Sequence, residues 1–308
     1  MPRKFRLVTR SDFDGLVCAV LLKELDMLES IKFVHPKDMQ DGKIEISEND
    51  ITTNLPYAGA AHLVFDHHLS ETVRNAGARP DNHIIDPKAP SAARVVYEYY
   101  GGAGIFPKVP PELMLAVDQA DSAGYSKEDI LHPDRWTLLN YVMDPRTGLG
   151  RFRQFRISNY DLMMQLIDAC RTHSIEQILE LPDVKERVDL YFEQQPKAIG
   201  QIRRCAAVHG KLVVLDLRNE DPIWCTNRFM IYALFPRCSI SMHVLWGLKQ
   251  QNTVFAAGRS ILDRSDPVDI GEVMLAYGGG GHPAAGTCQV SNEQAGKTLA
   301  ELTARLSA

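Results

Sequence analysis

Through its first 125 residues the chain alternates short apolar runs with stretches of helical periodicity. Phe5 to Val8 is followed by a helix-like Leu16 to Met27, then come Ile31 to Val34, His62 to Phe65, His83 to Ile85, and a helix over Ala92 to Tyr100. Apolar runs this short, bounded by polar turns, read as buried strands, and their alternation with helices predicts a largely parallel α/β sheet. From about residue 135 to 204 the pattern turns helical, with Tyr160 to Cys170, Ile175 to Leu181 and a charged amphipathic stretch from Val184 to Arg204 that Pro196 interrupts. Strands return at Lys211 to Leu217, Ser239 to Trp246 and Thr253 to Ala257. A helix near Ile270 to Tyr277, the glycine run 278 to 281, a strand at Thr287 to Val290 and a closing helix from Glu293 to Leu306 complete the pattern. The expected organisation is one α/β domain over residues 1–185, a connecting helix over 186–204 and a smaller α/β domain over 205–308. No internal repeat or low-complexity tract interrupts it.

Chemistry collects where two of the apolar strands end. Asp66-His67-His68 closes the run His62 to Phe65, and Asp12-Phe13-Asp14-Gly15 follows the run Phe5 to Val8. Each motif alone has an ordinary explanation: an Asp after a strand caps the next helix or forms a turn, and a His pair sits on many surfaces. Both together are harder to explain by packing, because gathered carboxylates repel one another unless a cation lies among them. Oxygen and nitrogen ligands of this kind suit Mn²⁺, Mg²⁺ or Zn²⁺. Two further acidic positions stand nearby in sequence. Asp50, after the alternating Ile44-Glu45-Ile46, reads either as an Asx-turn residue or as a ligand. Asp118 and Asp121 follow the apolar Leu113 to Val117, either as a solvated helix end or as a further ligand source.

Composition narrows the function classes. The chain has 308 residues, of which 45% are apolar and 24% charged, an ordinary globular balance with room for two cores. The formal net charge of −5 argues against holding long duplex nucleic acid by counterion release, so an anionic ligand must be drawn by local cations. Six cysteines without a C-x-x-C pair point to a reducing, cytoplasmic setting. No apolar run reaches the roughly 18 residues of a membrane span, and no apolar signal segment opens the chain, so a soluble protein without a membrane partner is expected.

The order of these pieces resembles the DHH phosphoesterase superfamily: D-x-D-G early, an isolated Asp, D-H-H, and another Asp about fifty residues on. Gly278 to Gly281 with His282-Pro283-Ala284-Ala285-Gly286 is similar to the glycine-rich motif of the DHH-associated domain. The resemblance implies a parallel-sheet DHH domain joined by helices to a smaller α/β domain, with the active site in the cleft between them. It implies one ion held by Asp14, Asp50, His67 and Asp121, with Asp118 the alternative to Asp121. A second ion would bridge through Asp50 to Asp12, Asp66 would orient His67, and His68 would face the substrate phosphate. Relatives place a further ligand at one of two positions just before the first Asp. Here those positions hold Val8 and Arg10, so the resemblance implies one or two ions, Mn²⁺ or else Mg²⁺ or Co²⁺, with Arg10 a fixed charge toward the phosphate. In the second domain it implies substrate contacts from Arg259, His282 and the backbone of Gly280 and Gly281, with Arg94 and Arg228 as weaker candidates. The implied activity is metal-dependent hydrolysis of short oligonucleotides or dinucleotides, as in exonucleolytic oligoribonucleases. The alternatives are an exopolyphosphatase-like hydrolase or a nucleotide sensor with a degenerate metal site. A homodimer is kept open.

Overall fold

A computed structural model describes residues 3–68, 71, 80–152 and 154–308, and the chain divides into two compact units. The first comprises Met1–Gly124, Asp134–Pro145 and Phe152–Val188; the second comprises Tyr125–Pro133, Arg146–Arg151 and Asp189–Ala308.

The first unit is built on five parallel strands, β1 (Phe5–Arg10), β2 (Leu28–Val34), β3 (Asp50–Thr53), β4 (Leu63–Asp66) and β5 (His83–Ile85), in the order β2-β1-β3-β4-β5. In this order the chain leaves β1 on one side and returns on the other. The carboxyl ends of β1 and β3 therefore flank the crevice where open α/β sheets bind ligands. Helices α1 (Phe13–Glu24), α2 (Pro36–Gln40), α3 (Ala92–Tyr99) and α4 (Pro111–Asp121) belong to this unit. Among them α1 is central: it packs against α3 and α4, and Phe13 to Leu22 are all buried, so its sequence is apolar all round rather than striped. It starts at Phe13, ahead of the predicted Leu16, because Asp12 caps it by accepting the Gly15 amide at 3.0 Å. Gly15 is required there, since a Cβ would lie 2.0 Å from the Arg10 carbonyl oxygen.

One strand of this sheet escaped the sequence pattern. The four residues of β3 pair in parallel with β1, with Arg6 opposite Asp50 and Thr9 opposite Thr53. Thr52 and Thr53 are fully buried, and the Thr53 hydroxyl donates to Thr9 Oγ1 at 2.6 Å while Thr9 donates to the Thr53 carbonyl at 3.2 Å. Two threonines flanked by Asp and Asn read as a turn, yet this internal pairing makes them a central strand.

Helix α5 (Lys127–Leu131) lies in the second unit, whereas α6 (Arg135–Met143), α7 (Asn159–Thr172) and α8 (Ile175–Leu179) belong to the first, where α7 packs on α1. Helix α9 (Pro182–Cys205) runs on through Pro196 and carries the chain into the second unit. There β6 (Ala206–His209), β7 (Leu212–Asp216), β8 (Ile240–Trp246), β9 (Thr253–Arg259), β10 (Gly280–His282) and β11 (Ala285–Val290) form a sheet in the order β10-β11-β9-β8-β7-β6. Only the β7–β8 pair is parallel. Alternate residues of the strands, such as Leu212, Val214, Ile240, Met242, Val244 and Phe255, form a core with α11 (Ile270–Leu275) and α12 (Ala295–Ser307); the short α10 (Met230–Leu234) is also buried. Among the described residues no helix is long and apolar enough to cross a membrane.

Candidate active site

Four segments bring functional side chains to the carboxyl end of the first sheet. The turn from β1 into α1 carries Arg10, Asp12 and Asp14, the end of β3 carries Asn54, the end of β4 carries Asp66, His67 and His68, and the end of α4 carries Asp121. One ligand atom each from Asp14, His67 and Asp121 lies within 4.8 Å of the other two.

Each member of this trio is fixed by the backbone around it. Asp14 is 2% exposed, and its two oxygens accept the amides of Ala92, at 3.0 Å, and Ala93, at 2.7 Å, in the first turn of α3. Those amides are available because a helix's first N–H groups have no partner within it. The α3 terminus is itself anchored: Ser91, its cap, accepts the Arg94 amide at 3.0 Å and donates its hydroxyl to Asp118 at 2.7 Å. His67 sets its Nδ1 at 3.2 Å from the carbonyl of Ala89, an atom that only accepts, so Nδ1 carries the proton. Its Nε2, buried, then faces Asp121 Oδ2 at 2.9 Å.

The electrostatics of the trio call for a cation. Burial, reinforced by Asp121, pushes the Asp14 carboxyl well above the usual carboxylate range. Burial opposes charge on His67, but Asp121 and Asp14 outweigh it and raise the imidazole to about 9. Burial likewise disfavours the Asp121 carboxylate, and His67 more than offsets this, holding it below its ordinary value. A divalent ion would replace these compensations at once, taking the Nε2 lone pair and both carboxylates, with the Ala89 carbonyl fixing the tautomer as outer partners of metal-bound histidines do. The donor set, the buried Nε2 turned toward Asp121 and the mutual reach of the three atoms fit such an ion.

The structure separates the remaining sequence candidates. Asp12 lies beside the trio, with Oδ2 at 2.9 Å from Arg10 Nε and Oδ1 accepting from Asn54 Nδ2 at 3.2 Å. Asp50 must be reassigned, since it begins β3 rather than following a strand. It therefore sits at the amino edge of the sheet, a strand length of about 10 Å from the trio's edge. There Arg6 donates to both its oxygens, at 2.6 and 2.9 Å, and the Ser47 amide and hydroxyl complete its shell at 2.7 and 3.1 Å. Asn54, one position past β3, stands where the ligand was expected. Arg94 is corrected too: its guanidinium donates to Asp118 at 3.0 and 2.5 Å and to Glu98 at 3.3 Å, so it is tied into the α3–α4 packing. The same bonds occupy Asp118, and it is Asp121 that meets His67. Asp66, fully buried, accepts from Nδ1 of His68 at 2.7 Å instead of orienting His67. This leaves His68, with a side chain 40% exposed, pointing its Nε2 away from Asp66.

In the second unit Arg259 ends β9 and His282 ends β10. The Arg259 amide bonds to the Ala284 carbonyl at 2.8 Å, and the Ala284 amide bonds to His282 Nδ1 at 3.3 Å, so both residues share one end of that sheet. Arg259 also donates from Nη1 to the Asp266 carbonyl at 2.8 Å. The glycine run serves packing in part: a Cβ on Gly279 would lie 2.0 Å from the Thr287 carbonyl oxygen, and one on Gly281 would lie 2.2 Å from that of Ala285. Around Gly280 a Cβ would meet nothing within 4 Å, so its backbone is open to approach.

A parallel sheet ending in D-x-D-G and D-H-H, with Asp and His converging as an ion site, defines a DHH-type phosphoesterase. No protein-family model matches the sequence, and no curated protein does. Among solved structures the chain is 56% identical to the pGpG-specific phosphodiesterase PggH of Vibrio cholerae, over 98% of this chain and 99% of that one, with a TM-score of 0.87. The chain belongs to the DHH phosphoesterase family with it. Looser likenesses are to RecJ of Thermus thermophilus in complex with Mn²⁺ (15% identity, 99% and 52% of the two chains, TM-score 0.46) and CDC45 of Entamoeba histolytica (9%, 99% and 96%, TM-score 0.48). Both are too distant to bear on activity.

Proposed function

We propose that the chain is a metal-dependent phosphodiesterase that splits a short guanine dinucleotide of the pGpG type into mononucleotides. The observation that carries this reading is the convergence of Asp14, His67 and Asp121, in a chain similar from end to end to a phosphodiesterase of that specificity. These three residues would hold the ion, Mn²⁺ or Mg²⁺, which when bound supplies Lewis acidity that activates water and offsets charge on the phosphate oxygens. Phosphoryl chemistry of this kind depends on positioning and electrostatics rather than on a covalent nucleophile. His68, held by Asp66 through Nδ1, is assigned to the phosphate or the leaving 3′ oxygen through Nε2. Arg259, His282 and the open backbone at Gly280 are assigned to substrate binding from the second unit. The six cysteines, all free, agree with work in a reducing cytoplasm.

The test is a length and chemistry series. Purified protein with Mn²⁺ is offered pGpG, other linear dinucleotides, five-residue RNA, cyclic dinucleotides and polyphosphate, and products are resolved by chromatography. Fastest turnover is expected on pGpG, with 5′-GMP as product. Faster release of phosphate from polyphosphate, or preference for the longer RNA, would contradict the proposal.

A further inference from the structure

We propose that the site is built for a single divalent ion, with the guanidinium of Arg10 and the amide of Asn54 standing where a second ion and its bridging carboxylate would be. Arg10 is then a catalytic residue whose fixed charge receives the substrate phosphate. The inference rests on the ion-binding role assigned above to Asp14, His67 and Asp121.

Asp12 is the natural second-ion ligand, and its lone pairs are engaged. Oδ2 receives Arg10 Nε at 2.9 Å, and Oδ1 receives the Gly15 amide at 3.0 Å and Asn54 Nδ2 at 3.2 Å. An entering ion would have to displace a guanidinium and sit against its charge, and at such range two cations repel strongly. The pairing of Thr9 with Thr53 brings the next residues of β1 and β3, Arg10 and Asn54, to the same edge, so this arrangement is set by strand register.

Asn54 supplies the independent observation. It is 1% exposed and takes a left-handed backbone conformation, φ 55°, which Asn tolerates better than most residues. A carboxylate only accepts, so the atom of Asn54 facing Asp12 must be the NH₂ group. The other atom, Oδ1, is buried with no hydrogen-bond partner among the described residues. A buried carbonyl oxygen with no donor is costly, and the single ion is assigned to it. Asn54 can thus serve one ion through Oδ1 while holding Asp12 through Nδ2, but as a neutral amide it cannot bridge two.

Charge balance agrees. Asp12, Asp14 and Asp121 together carry three negative charges when ionised; one divalent ion and Arg10 supply three positive ones. The Arg10 side chain is 33% exposed, which leaves guanidinium edge for a phosphate oxygen.

Metal-stripped protein titrated with Mn²⁺ and weighed by native mass spectrometry should hold one ion per chain. The double variant Arg10→Asp/Asn54→Asp should hold two. Arg10→Ala should keep one ion yet lose about 10²–10³-fold in kcat on pGpG, the scale for removing a donor to a developing charge, with part recovered in Arg10→Lys. Two tightly held ions in the unmodified protein would overturn the proposal, as would unchanged turnover in Arg10→Ala. If circular dichroism shows the double variant unfolded, the unmodified count and the two Arg10 variants still decide. Absence of any bound ion would instead overturn the ion-site assignment on which the proposal rests.

Discussion

Asp50 and Asn54 bracket a single short strand, yet that strand sets them at opposite edges of the sheet. Burial opposes charge on Asp50, and its bonds to Arg6 and Ser47 prevail, holding the carboxyl below its ordinary value. A carboxyl depressed in the folded state stabilises above its unfolded pKa, about 3.9, and that contribution is lost as pH falls through the folded value. Asp50→Asn should therefore cost about 1–3 kcal/mol near neutral pH, the scale of hydrogen bonds to a charged group, and flatten the acid limb of the stability curve. Its ion count should not change. Loss of the ion with an unaltered melting temperature would restore Asp50 as a ligand. Asp12, Asp14 and His67 were legible because strand ends followed by acidic or imidazole residues stand out in an apolar pattern; Asp121, at the end of helix α4, was named as a ligand only through the family resemblance. Asn54 was not, since a neutral amide after Thr-Thr has no signature beyond that of a turn.

Elements explain why the legible residues work. Four of the five strands of the first sheet and most helices could be placed from apolar periodicity, whereas β3 was hidden by its polar threonines, which bond to Thr9 inside the sheet. The role of α3 was equally invisible, because backbone amides leave no trace in sequence: its first turn holds Asp14 through Ala92 and Ala93. That turn depends on the Ser91–Asp118–Arg94 network. Ser91→Ala should lower stability by about 1 kcal/mol, as for a lost N-cap. With Asp118→Asn, it should also weaken Mn²⁺ binding by roughly 10–100-fold, the usual effect of removing an outer partner of a metal ligand. Calorimetric titration with Mn²⁺ checks this; lowered stability with unchanged affinity would show the network to be structural only.

At the scale of the whole chain, both units are matched in PggH with almost complete mutual coverage. The proposed division of labour gives the ion to the first unit and substrate grip to Arg259 and His282 in the second. Truncating either should raise KM for pGpG, with some loss of kcat where remote binding aids positioning. Hydrolysis of bis(p-nitrophenyl) phosphate should hardly change. Equal losses on both substrates would place these residues at the reacting phosphorus instead. The most direct measurement of the central claim is pGpG hydrolysis by metal-stripped protein before and after Mn²⁺ is restored, in the unmodified chain and in His67→Ala. The account predicts no 5′-GMP without the ion, full recovery on its return, and no recovery in His67→Ala that remains folded. Turnover by the stripped protein, or by His67→Ala at the unmodified rate, would contradict it.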